Sequence, residues 1–434
     1  MFPNIPKGTR DFSSIEMSKR NYLIQTIRKQ FELFGFNSIE TPSIENISTL
    51  VGKYGEEGDS LIFKLLHSGN FFQKMSNKAL RYDLTVPFVR YVVMHKNKIV
   101  FPFKRYQIQP VWRADKPQKG RFREFYQCDA DIVSYSWSLW EEIELIQLCD
   151  EIFTKLNFPI IIYINHRDIL GGLGEIAGIE NNLWKDFTTS LDKWNKIGRD
   201  LVKKEMLNKG ISSLSFDKVA FFFEMKENFY NKEKHLTVAL KNSEKGKKGI
   251  QDLSFIYKNI KNISLQKTKL EWNLSLARGM NYYTGTILEI VPLKNYVSIG
   301  GGGRYDKLAN LFGMNNISGV GISLGLDRIY LAMEQENLFQ PIPSKVLFIN
   351  FGNEEVLYAY KIIKFLRKKG ISTQLYPNAD KIGKQFRYAN DNNIPFAISI
   401  GKNEINKKKI RMKNIQKRTE KEYDNIHDVV NQLT

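Results

Sequence analysis

Residues 113–127 read RADKPQKGRFREFYQ, a stretch that predicts two β-strands joined by a basic turn. Because side chains alternate along a strand, residues 121, 123, 125 and 127 are expected to share one face. Arg113 and Arg121 are then expected to converge across the hairpin, where planar guanidinium groups suit phosphate binding. An exposed, salt-bridged hairpin is the alternative. The pattern Arg, Arg, Phe, Gln on one face favours a functional site.

Strands and helices are predicted on either side of this hairpin. Aromatic and β-branched residues mixed with arginines predict strands over residues 99–134, and helical periodicity returns over residues 141–156. An amphipathic helix is expected from about residue 15 to residue 34, where Gly35 stops it. A short strand is expected over residues 36–40.

The rest of the chain divides into three parts. Residues 170–265 show helical patterns and are interpreted as a helical insertion, and strand patterning resumes at Leu270. A helix is predicted to start near Leu326, and Pro341 and Pro343 indicate a linker. After Lys345 the order strand, helix, strand, helix, strand predicts a small α/β domain of about 90 residues.

Composition narrows the class of protein. The 434 residues are 42% hydrophobic, 26% charged and 13% aromatic, which argues against a mainly disordered chain. Two cysteines exclude a disulfide scaffold, and none of the five histidines has metal-ligand spacing, so no protein metal site is predicted. Without a secretion signal or an apolar run of about 18 residues, the chain is expected to be soluble, cytoplasmic and not membrane-bound.

Net charge points to a polyanionic partner. Lys and Arg number 65 against 46 Asp and Glu, which gives +19, and nucleic acid is the first candidate for such an excess. Lys far outnumbers Arg, and Asn and Ile are abundant. That bias is typical of an AT-rich genome, so genome composition is the alternative explanation of the charge.

Two further motifs suggest anion or aromatic sites. Residues 276–285 read LARGMNYYTG and place an arginine beside glycine and paired tyrosines, although a strand turn with packed tyrosines is the alternative. Residues 319–328 read GVGISLGLDR, where small residues allow close backbone approach and an arginine lies at a helix start. A tightly packed strand–helix junction explains that motif equally well. Residues 74–78, KMSNK, are interpreted as a surface loop.

Together these motifs resemble the histidyl-tRNA synthetase family of class II aminoacyl-tRNA synthetases over nearly the whole chain. Residues 113–127 resemble class II motif 2, residues 319–328 resemble motif 3, and the helix and strand ending at Pro42 resemble motif 1. Residues 278–283 resemble the family's histidine-recognition signature, the most specific match, although Asn281 stands where many members carry Asp. The segments 6–12, PKGTRDF, and 81–87, RYDLTVP, also resemble family motifs.

The resemblance implies a fold and a reaction. The fold is α+β: an antiparallel sheet flanked by helices in a catalytic domain over residues 1–335, a linker over 336–344, and an anticodon-binding α/β domain over 345–434. The reaction joins L-histidine to ATP as histidyl-adenylate, and the histidyl group then passes to the 3′ end of tRNA(His). ATP, Mg²⁺, tRNA(His) and a homodimer are implied in the same way.

The resemblance also implies roles for individual residues. By this resemblance, the residues expected to bind histidine are Asp83, Leu84, Thr85, Gln127, Asp131, Arg278, Tyr282 and Tyr283. Arg113 and Arg278 are expected to act in catalysis at the α-phosphate. Arg113, Arg121 and Arg328 are expected to bind ATP. The ammonium would be held by Asp83, Thr85 and Gln127, and the imidazole read by Asp131 and Tyr283. A buried carboxylate left without the imidazole N–H would reject a wrong amino acid by roughly 10⁴-fold.

Two other functions share parts of this pattern. A synthetase-like regulatory subunit of ATP phosphoribosyltransferase would lack aminoacylation activity and the C-terminal domain. The α/β pattern after Lys345, with Arg113 and Arg328, argues against it. A class II synthetase for another amino acid is the second alternative, and the signature at residues 278–283 together with Asp131 argues against that one.

Overall fold

The computed structural model describes residues 3–66, 75–277, 282–294, 297–339 and 346–433. The chain forms two compact units, Met1–Leu338 and Phe339–Thr434. The strands of the first unit are β1 (Asn37–Ser38), β2 (Ile44–Asn46), β3 (Lys64–Leu66), β4 (Met75–Leu80), β5 (Phe103–Trp112), β6 (Glu124–Ser134), β7 (Ile160–His166), β8 (Thr268–Trp272), β9 (Thr286–Pro292), β10 (Gly300–Arg304) and β11 (Ser318–Gly325).

The helices of the first unit lie before, between and after these strands. They are α1 (Ser14–Leu33), α2 (Ile47–Leu50), α3 (Gly55–Ser60), α4 (Thr85–His95), α5 (Leu139–Lys155), α6 (Arg167–Ala177), α7 (Trp184–Leu191), α8 (Trp194–Asn208), α9 (Ser213–Glu224), α10 (Phe229–Ala239), α11 (Glu244–Ile263) and α12 (Leu326–Gln335). Short 3₁₀ turns occur at Asn181–Leu183 and Ala309–Phe312. The helices predicted over residues 15–34 and 141–156 are therefore confirmed to within two residues at each end.

The large sheet has the strand order β1-β5-β6-β11-β10-β9-β7-β8. Neighbours from β5 to β7 run antiparallel, while β1 beside β5 and β8 beside β7 run parallel. The predicted antiparallel sheet flanked by helices is confirmed, and its two edge pairs make it a mixed sheet.

Helices α1, α5 and α12 cover one face of this sheet. Alternation puts Ile132 of β6 and Val320 and Ile322 of β11 on that face, where all three are buried. Helix α1 starts with a capping box between Ser13 and Glu16. Its buried Leu23, Ile27 and Phe31 recur at helical spacing, and burial of such a stripe stabilises the helix on the sheet. The opposite face of the sheet is polar and positions the candidate site.

A three-stranded sheet of order β2-β4-β3 lies beside the polar face with α2 and α4. The surface loop predicted for residues 74–78 is wrong from Met75 onward, because β4 is the central strand of this sheet. Lys74 lies outside the described residues. The residues on either side, not the motif itself, decide whether such a polar stretch pairs as a strand.

Helices α6 to α11 occupy the region interpreted as a helical insertion. They pack on one another through α6 with α11 and α9, and α7 with α8. Buried Phe187, Met206, Phe216 and Leu253 supply their core. Gly198, at φ +78°, interrupts α8 with a conformation that glycine adopts without steric cost.

The second unit is a separate α/β structure. Its elements are β12 (Val346–Phe348), α13 (Asn353–Lys368), β13 (Thr373–Leu375), α14 (Ile382–Asp391), β14 (Phe396–Ser399), α15 (Lys402–Lys407), β15 (Ile410–Asn414), β16 (Thr419–Tyr423) and α16 (Ile426–Leu433). The sheet order is β13-β12-β14-β15-β16, with the first three strands parallel and the last two antiparallel. The predicted strand–helix–strand–helix–strand order is confirmed. The antiparallel pair and the last two helices were not predicted.

Both faces of this second sheet are covered. Val346, Phe348 and Ile398 belong to one apolar cluster, while Leu347 and Ala397 belong to another. Alternating residues of the same strands thus contribute to two cores, as expected for strands buried on both faces. Within the described ranges of both units, no helix has the length and apolar character that crossing a bilayer requires.

Candidate active site

The polar face of the large sheet presents a row of buried hydrogen-bonding side chains. Register pairs Arg105 with Asp131 and Gln107 with Asp129 between β5 and β6. Gln127 lies on the same face because it is two residues from Asp129. All five are buried, so each must be satisfied by a neighbour or by a ligand.

Glycines in β10 and β11 leave room for the side chains that lie on this face. A Cβ added at Gly319 would lie 2.4 Å from the Tyr305 ring, and one at Gly321 would lie 2.0 Å from Oδ1 of Asp131. Gly303 has φ +152°, and its added Cβ would come within 2.9 Å of the Tyr283 ring. The glycine-rich strands therefore form a flat floor on which two tyrosines and a carboxylate lie directly.

Asp131 is held by two partners on this floor. The Tyr305 hydroxyl donates to its Oδ1 at 2.5 Å, and Arg105 Nη2 lies 2.8 Å from its Oδ2 in an ion pair. Burial raises the pKa of Asp131, while Arg105 and the Tyr305 hydroxyl oppose that rise. Oδ2 receives no hydrogen bond of good geometry from the described residues. It remains available to an N–H of a ligand.

Asp83 lies just before α4 and is oriented by one side chain and one backbone group. Tyr54 donates its hydroxyl to Oδ1 of Asp83 at 2.8 Å, and the backbone N–H of Val86 donates to the same oxygen at 3.2 Å. The other oxygen, Oδ2, is buried and has no donor among the described residues. Burial raises the pKa of Asp83, and the Tyr54 hydroxyl is the largest influence against that rise.

Leu84 and Thr85, which follow Asp83 in the chain, connect this segment to the large sheet and to α4. Arg105 Nη2 donates to the Leu84 carbonyl at 3.4 Å, and Thr85 is buried at the first position of α4. Burial raises the pKa of the Tyr282 hydroxyl, and the Asp83 carboxyl adds to the rise while the Thr85 hydroxyl opposes it. The Tyr282 hydroxyl therefore lies close to the Thr85 side chain and within electrostatic range of Asp83.

Gln127 completes the set of acceptors at the other end of β6. Its Nε2 donates to Ser323 Oγ at 2.5 Å, which fixes the amide orientation. Its Oε1 is buried and meets no donor among the described residues. One oxygen each of Asp83, Gln127 and Asp131 thus receives no hydrogen bond of good geometry from the described residues, and all three lie at one face of the sheet.

Arg113 lies at the end of the β5–β6 hairpin with its charge only partly engaged. Its Nε donates to the Tyr82 carbonyl at 3.1 Å, and the guanidinium lies 4.3 Å from the Tyr82 ring centroid and 5.2 Å from that of Phe125. Its Nη groups donate no hydrogen bond to any described residue. The cation is therefore positioned by neutral groups and keeps two donors for an anion.

Arg121 lies in the basic turn, 46% exposed, with Nε 3.3 Å from Oδ2 of Asp115. Burial raises the pKa of the Tyr82 hydroxyl, and the guanidinium groups of Arg113 and Arg121 both oppose that rise. Both positive charges therefore act electrostatically on the Tyr82 hydroxyl, while their convergence across the hairpin stays a prediction.

The predicted alternation along the second strand is wrong before residue 124. Strand β6 begins at Glu124, so residues 121 and 123 belong to the turn. Arg123 is engaged elsewhere: its Nε donates to the Asp115 carbonyl at 3.1 Å, and its backbone N–H donates to the Gly8 carbonyl at 2.8 Å. Because Gly8, near the start of the chain, accepts the Arg123 backbone N–H, that group is not available to extend β6.

Arg328 bridges two segments at the N-terminal end of α12. Its Nε donates to the Gly120 carbonyl at 3.0 Å, and its Nη1 donates to the Ser298 carbonyl at 2.8 Å. The preceding Asp327 accepts from the Tyr126 N–H at 2.8 Å and from Arg20 at 2.5 Å. Helix α12 is thereby fixed to the hairpin and to α1.

Comparison with known proteins identifies the family. A family model described as Histidyl-tRNA synthetase matches residues 8–329, and one described as Anticodon binding domain matches residues 345–434. A histidine–tRNA ligase from Flavobacterium johnsoniae is 52% identical to this chain, and the alignment covers 95% of each protein. The chain belongs to the histidyl-tRNA synthetase family.

Solved structures agree with this synthetase family. The crystal structure of histidyl-tRNA synthetase from Nostoc sp. PCC 7120 superposes with a TM-score of 0.87 at 30% identity over 100% of both chains. A Bacillus halodurans C protein described as an ATP phosphoribosyltransferase regulatory subunit/histidyl-tRNA synthetase has a TM-score of 0.73 at 19% identity. The match covers 89% of this chain and 96% of that one. At that identity the second likeness shows a shared fold only.

The synthetase fold brings most of the predicted site residues together. Asp83, Thr85, Gln127, Asp131, Tyr282 and Tyr283 lie at the polar face, Leu84 lies beside Arg105, and Arg113 lies over the Tyr82 ring. Arg121 lies in the basic turn beside Asp115. Arg278, predicted for both catalysis and histidine binding, lies outside the described residues, as does Asn281. Among the described residues no group of three or more His, Cys, Asp or Glu is arranged to hold a metal ion.

Four residues that lie at this polar face or contact its carboxylates were not predicted from the sequence: Tyr54, Arg105, Asp129 and Tyr305. Asp129 could have been found, because the alternation that groups residues 125 and 127 extends to 129 and 131. Arg105 is equally accessible once β5 is paired with β6. Tyr54 and Tyr305 had no local signal, since each reaches a carboxylate 29 and 174 residues away.

Proposed function

We propose that this chain is a histidine–tRNA ligase that forms histidyl-adenylate from L-histidine and ATP and transfers the histidyl group to tRNA(His). The observation that carries the proposal is a set of three buried oxygens, Asp83 Oδ2, Gln127 Oε1 and Asp131 Oδ2, that receive no hydrogen bond of good geometry from the described residues. Burying such oxygens is costly unless a ligand supplies N–H groups. Histidine supplies both an ammonium and an imidazole N–H.

The amino group of histidine is the partner we propose for Asp83, Thr85 and Gln127. Asp83 is oriented by Tyr54, so its second oxygen is fixed before substrate arrives. The imidazole N–H is the partner we propose for Asp131, beside Tyr283 and with Tyr282 and Leu84 lining the site. Arg105 and Tyr305 hold the Asp131 carboxylate, so an amino acid without a matching N–H would leave its buried Oδ2 with the Arg105 ion pair alone.

ATP is the proposed partner of the arginines. The histidine carboxylate attacks the α-phosphorus, the bond to the bridging oxygen breaks, and pyrophosphate leaves with the electron pair of that bond. Arg113, whose two Nη groups donate to none of the described residues, would stabilise the charge on the α-phosphate together with Arg278. Arg121 and Arg328 would bind the outer phosphates. Mg²⁺ would be held mainly by phosphate oxygens, because the described residues of the site offer no carboxylate cage.

The domain organisation is part of the proposal. Residues 1–335 would form the catalytic domain, including the helical insertion at about 170–265, and residues 345–434 would bind the anticodon, joined by residues 336–344. By resemblance through motif 1, the enzyme would act as a homodimer in the cytoplasm. The match of residues 345–434 to the anticodon-binding family supports the ligase over the regulatory subunit.

Pyrophosphate exchange tests the amino-acid specificity. With labelled pyrophosphate and no tRNA, we expect ATP to become labelled when histidine is added and not with any other standard amino acid. Exchange depends only on adenylate formation, so it isolates the proposed first step. Exchange driven by another amino acid would reject histidine as substrate. No exchange at all would favour the regulatory-subunit function.

Removal of the second unit tests its role. A protein ending at Leu338 is expected to retain histidine-dependent exchange, because the proposed adenylate site lies entirely in the first unit. Charging of tRNA(His) should fall, since exposed lysines such as Lys368, Lys369 and Lys381 would no longer meet phosphates. The salt dependence of tRNA binding should also become less steep, by about 0.7–0.9 in log–log slope per lost contact.

The truncation is tested by measuring aminoacylation and the salt dependence of tRNA binding. Both are measured on the full chain and on the shortened one. Equal aminoacylation and equal slopes would remove the second unit from tRNA binding. The charge of +19 would then be better explained by genome composition.

A further inference from the structure

Asp129 is a buried carboxyl on the active-site face to which the proposed reaction gives no role. It is 1% exposed and lies between Gln127 and Asp131 along β6. Neither of its oxygens has a hydrogen-bond donor of good geometry among the described residues. A carboxyl in this position is costly to bury as an anion.

The groups around Asp129 leave an excess of negative charge if all ionise. From β5 it faces Gln107 and Arg105, from β6 Gln127 and Asp131, and from β11 Ser323. Arg105 is shared with Asp131, and Asp83 before α4 adds a third carboxyl. Three other titratable groups interact electrostatically with Asp129: Arg81, Cys128 and Tyr282. Arg81 is committed to the carbonyls of Thr41 and Pro110.

This environment favours the protonated acid in the empty site. Burial raises the pKa of Asp129 to about 8; Asp131 and Asp83 add to the rise, and Arg105 and Ser323 oppose it. A ligand that brings a positive charge reverses the balance, because it supplies the counter-ion that the buried carboxylate lacks.

We propose that Asp129 is a specificity-determining residue of the histidine site, which is neutral in the empty enzyme and ionises when the substrate's ammonium group enters. The O–H bond of the acid breaks, its electron pair stays on the carboxylate, and the proton passes to solvent. The inference rests on the proposed histidine-binding function. It predicts that histidine binding is linked to proton release and that a second carboxylate, beyond Asp83, selects for a cationic substrate.

Calorimetric titration of the full chain with histidine tests the linkage. At pH 7.0, titrations in phosphate, HEPES and Tris give the number of protons released from the dependence of the observed heat on the buffer's ionisation enthalpy. We expect release approaching one proton for the wild type and near zero for Asp129→Asn. Between pH 6.5 and 8 the wild-type affinity should rise by up to tenfold per pH unit, because fewer protons remain to be displaced. The variant should bind at least tenfold more weakly at pH 8.

A matched variant and a stability measurement separate this role from a structural one. Glu289→Gln removes a carboxyl from the same sheet face, in β9, and should leave proton release unchanged. Between about pH 4 and 8 unfolding of the wild type releases the Asp129 proton, so its stability falls as pH rises through that window. Asp129→Asn lacks this loss, and its melting temperature at pH 8 should equal or exceed that of the wild type.

The outcomes are distinct for the two proposals. Histidine binding by the wild type without proton release overturns the role of Asp129 and leaves the ligase function standing. Proton release that persists in Asp129→Asn also overturns the role of Asp129. So does an Asp129→Asn variant that melts several degrees below the wild type at pH 8 but binds histidine with unchanged affinity. Failure of the wild type to bind histidine at all rejects both.

Discussion

Replacing Arg113 with alanine is expected to slow histidyl-adenylate formation by about 10²–10³-fold. The guanidinium is held by the Tyr82 carbonyl and by the rings of Tyr82 and Phe125, so no reorganisation is needed to present its remaining donors. Such preorganised donors act on charge that develops in the transition state, and their removal lowers the rate more than the affinity. Single-turnover adenylate formation, measured with saturating ATP and histidine, is the test.

Lys119→Ala is the matched control for Arg113→Ala. Lys119 is an exposed cation of the same turn, so its loss changes net charge equally without touching the proposed α-phosphate position. Adenylate formation in this variant should stay within a few-fold of the wild type. Equal losses in both variants would mean that only the general positive field matters. A rate for Arg113→Ala near that of the wild type would remove Arg113 from catalysis.

Asp83→Asn is expected to weaken histidine binding by about 100-fold, equivalent to about 3 kcal/mol, while ATP binding changes little. Asparagine keeps the shape and can still accept from Tyr54 and Val86, but it no longer offers a negative charge to the ammonium. A buried ammonium without its counter-ion loses most of its binding free energy. Separate calorimetric titrations with histidine and with ATP measure the two affinities.

Tyr54→Phe gives a graded comparison for Asp83→Asn. It removes the hydroxyl that orients the carboxylate and leaves the charge in place. We expect a loss of histidine affinity of about fivefold to tenfold, the usual size for one hydrogen bond. If Asp83→Asn weakened ATP and histidine binding equally, the carboxylate would be structural and not part of the histidine site.

Local sequence patterns determined much of this fold. The apolar stripe Leu23, Ile27, Phe31 specified α1 and its buried side, because helical periodicity is set by each segment's own residues. The β5–β6 hairpin and the first three strands of the second unit were predicted on the same grounds. The motifs around Arg113 and Arg328 carried the resemblance to the synthetase family, which the comparisons confirm.

Only the tertiary structure decided which side chains meet on the polar face. Alternation along β6 predicts that Asp129 and Asp131 share a side, but the pairing of β6 with β11 joins residues almost 200 positions apart. That register brings Gly321 opposite Asp131 and leaves room for the carboxylate to lie flat. It also buries Asp129, whose oxygens receive no hydrogen bond of good geometry from the described part of the chain. Periodicity acts along one segment, whereas burial, desolvation and the ion pair with Arg105 arise when distant strands assemble, and these long-range terms set the chemistry of the site.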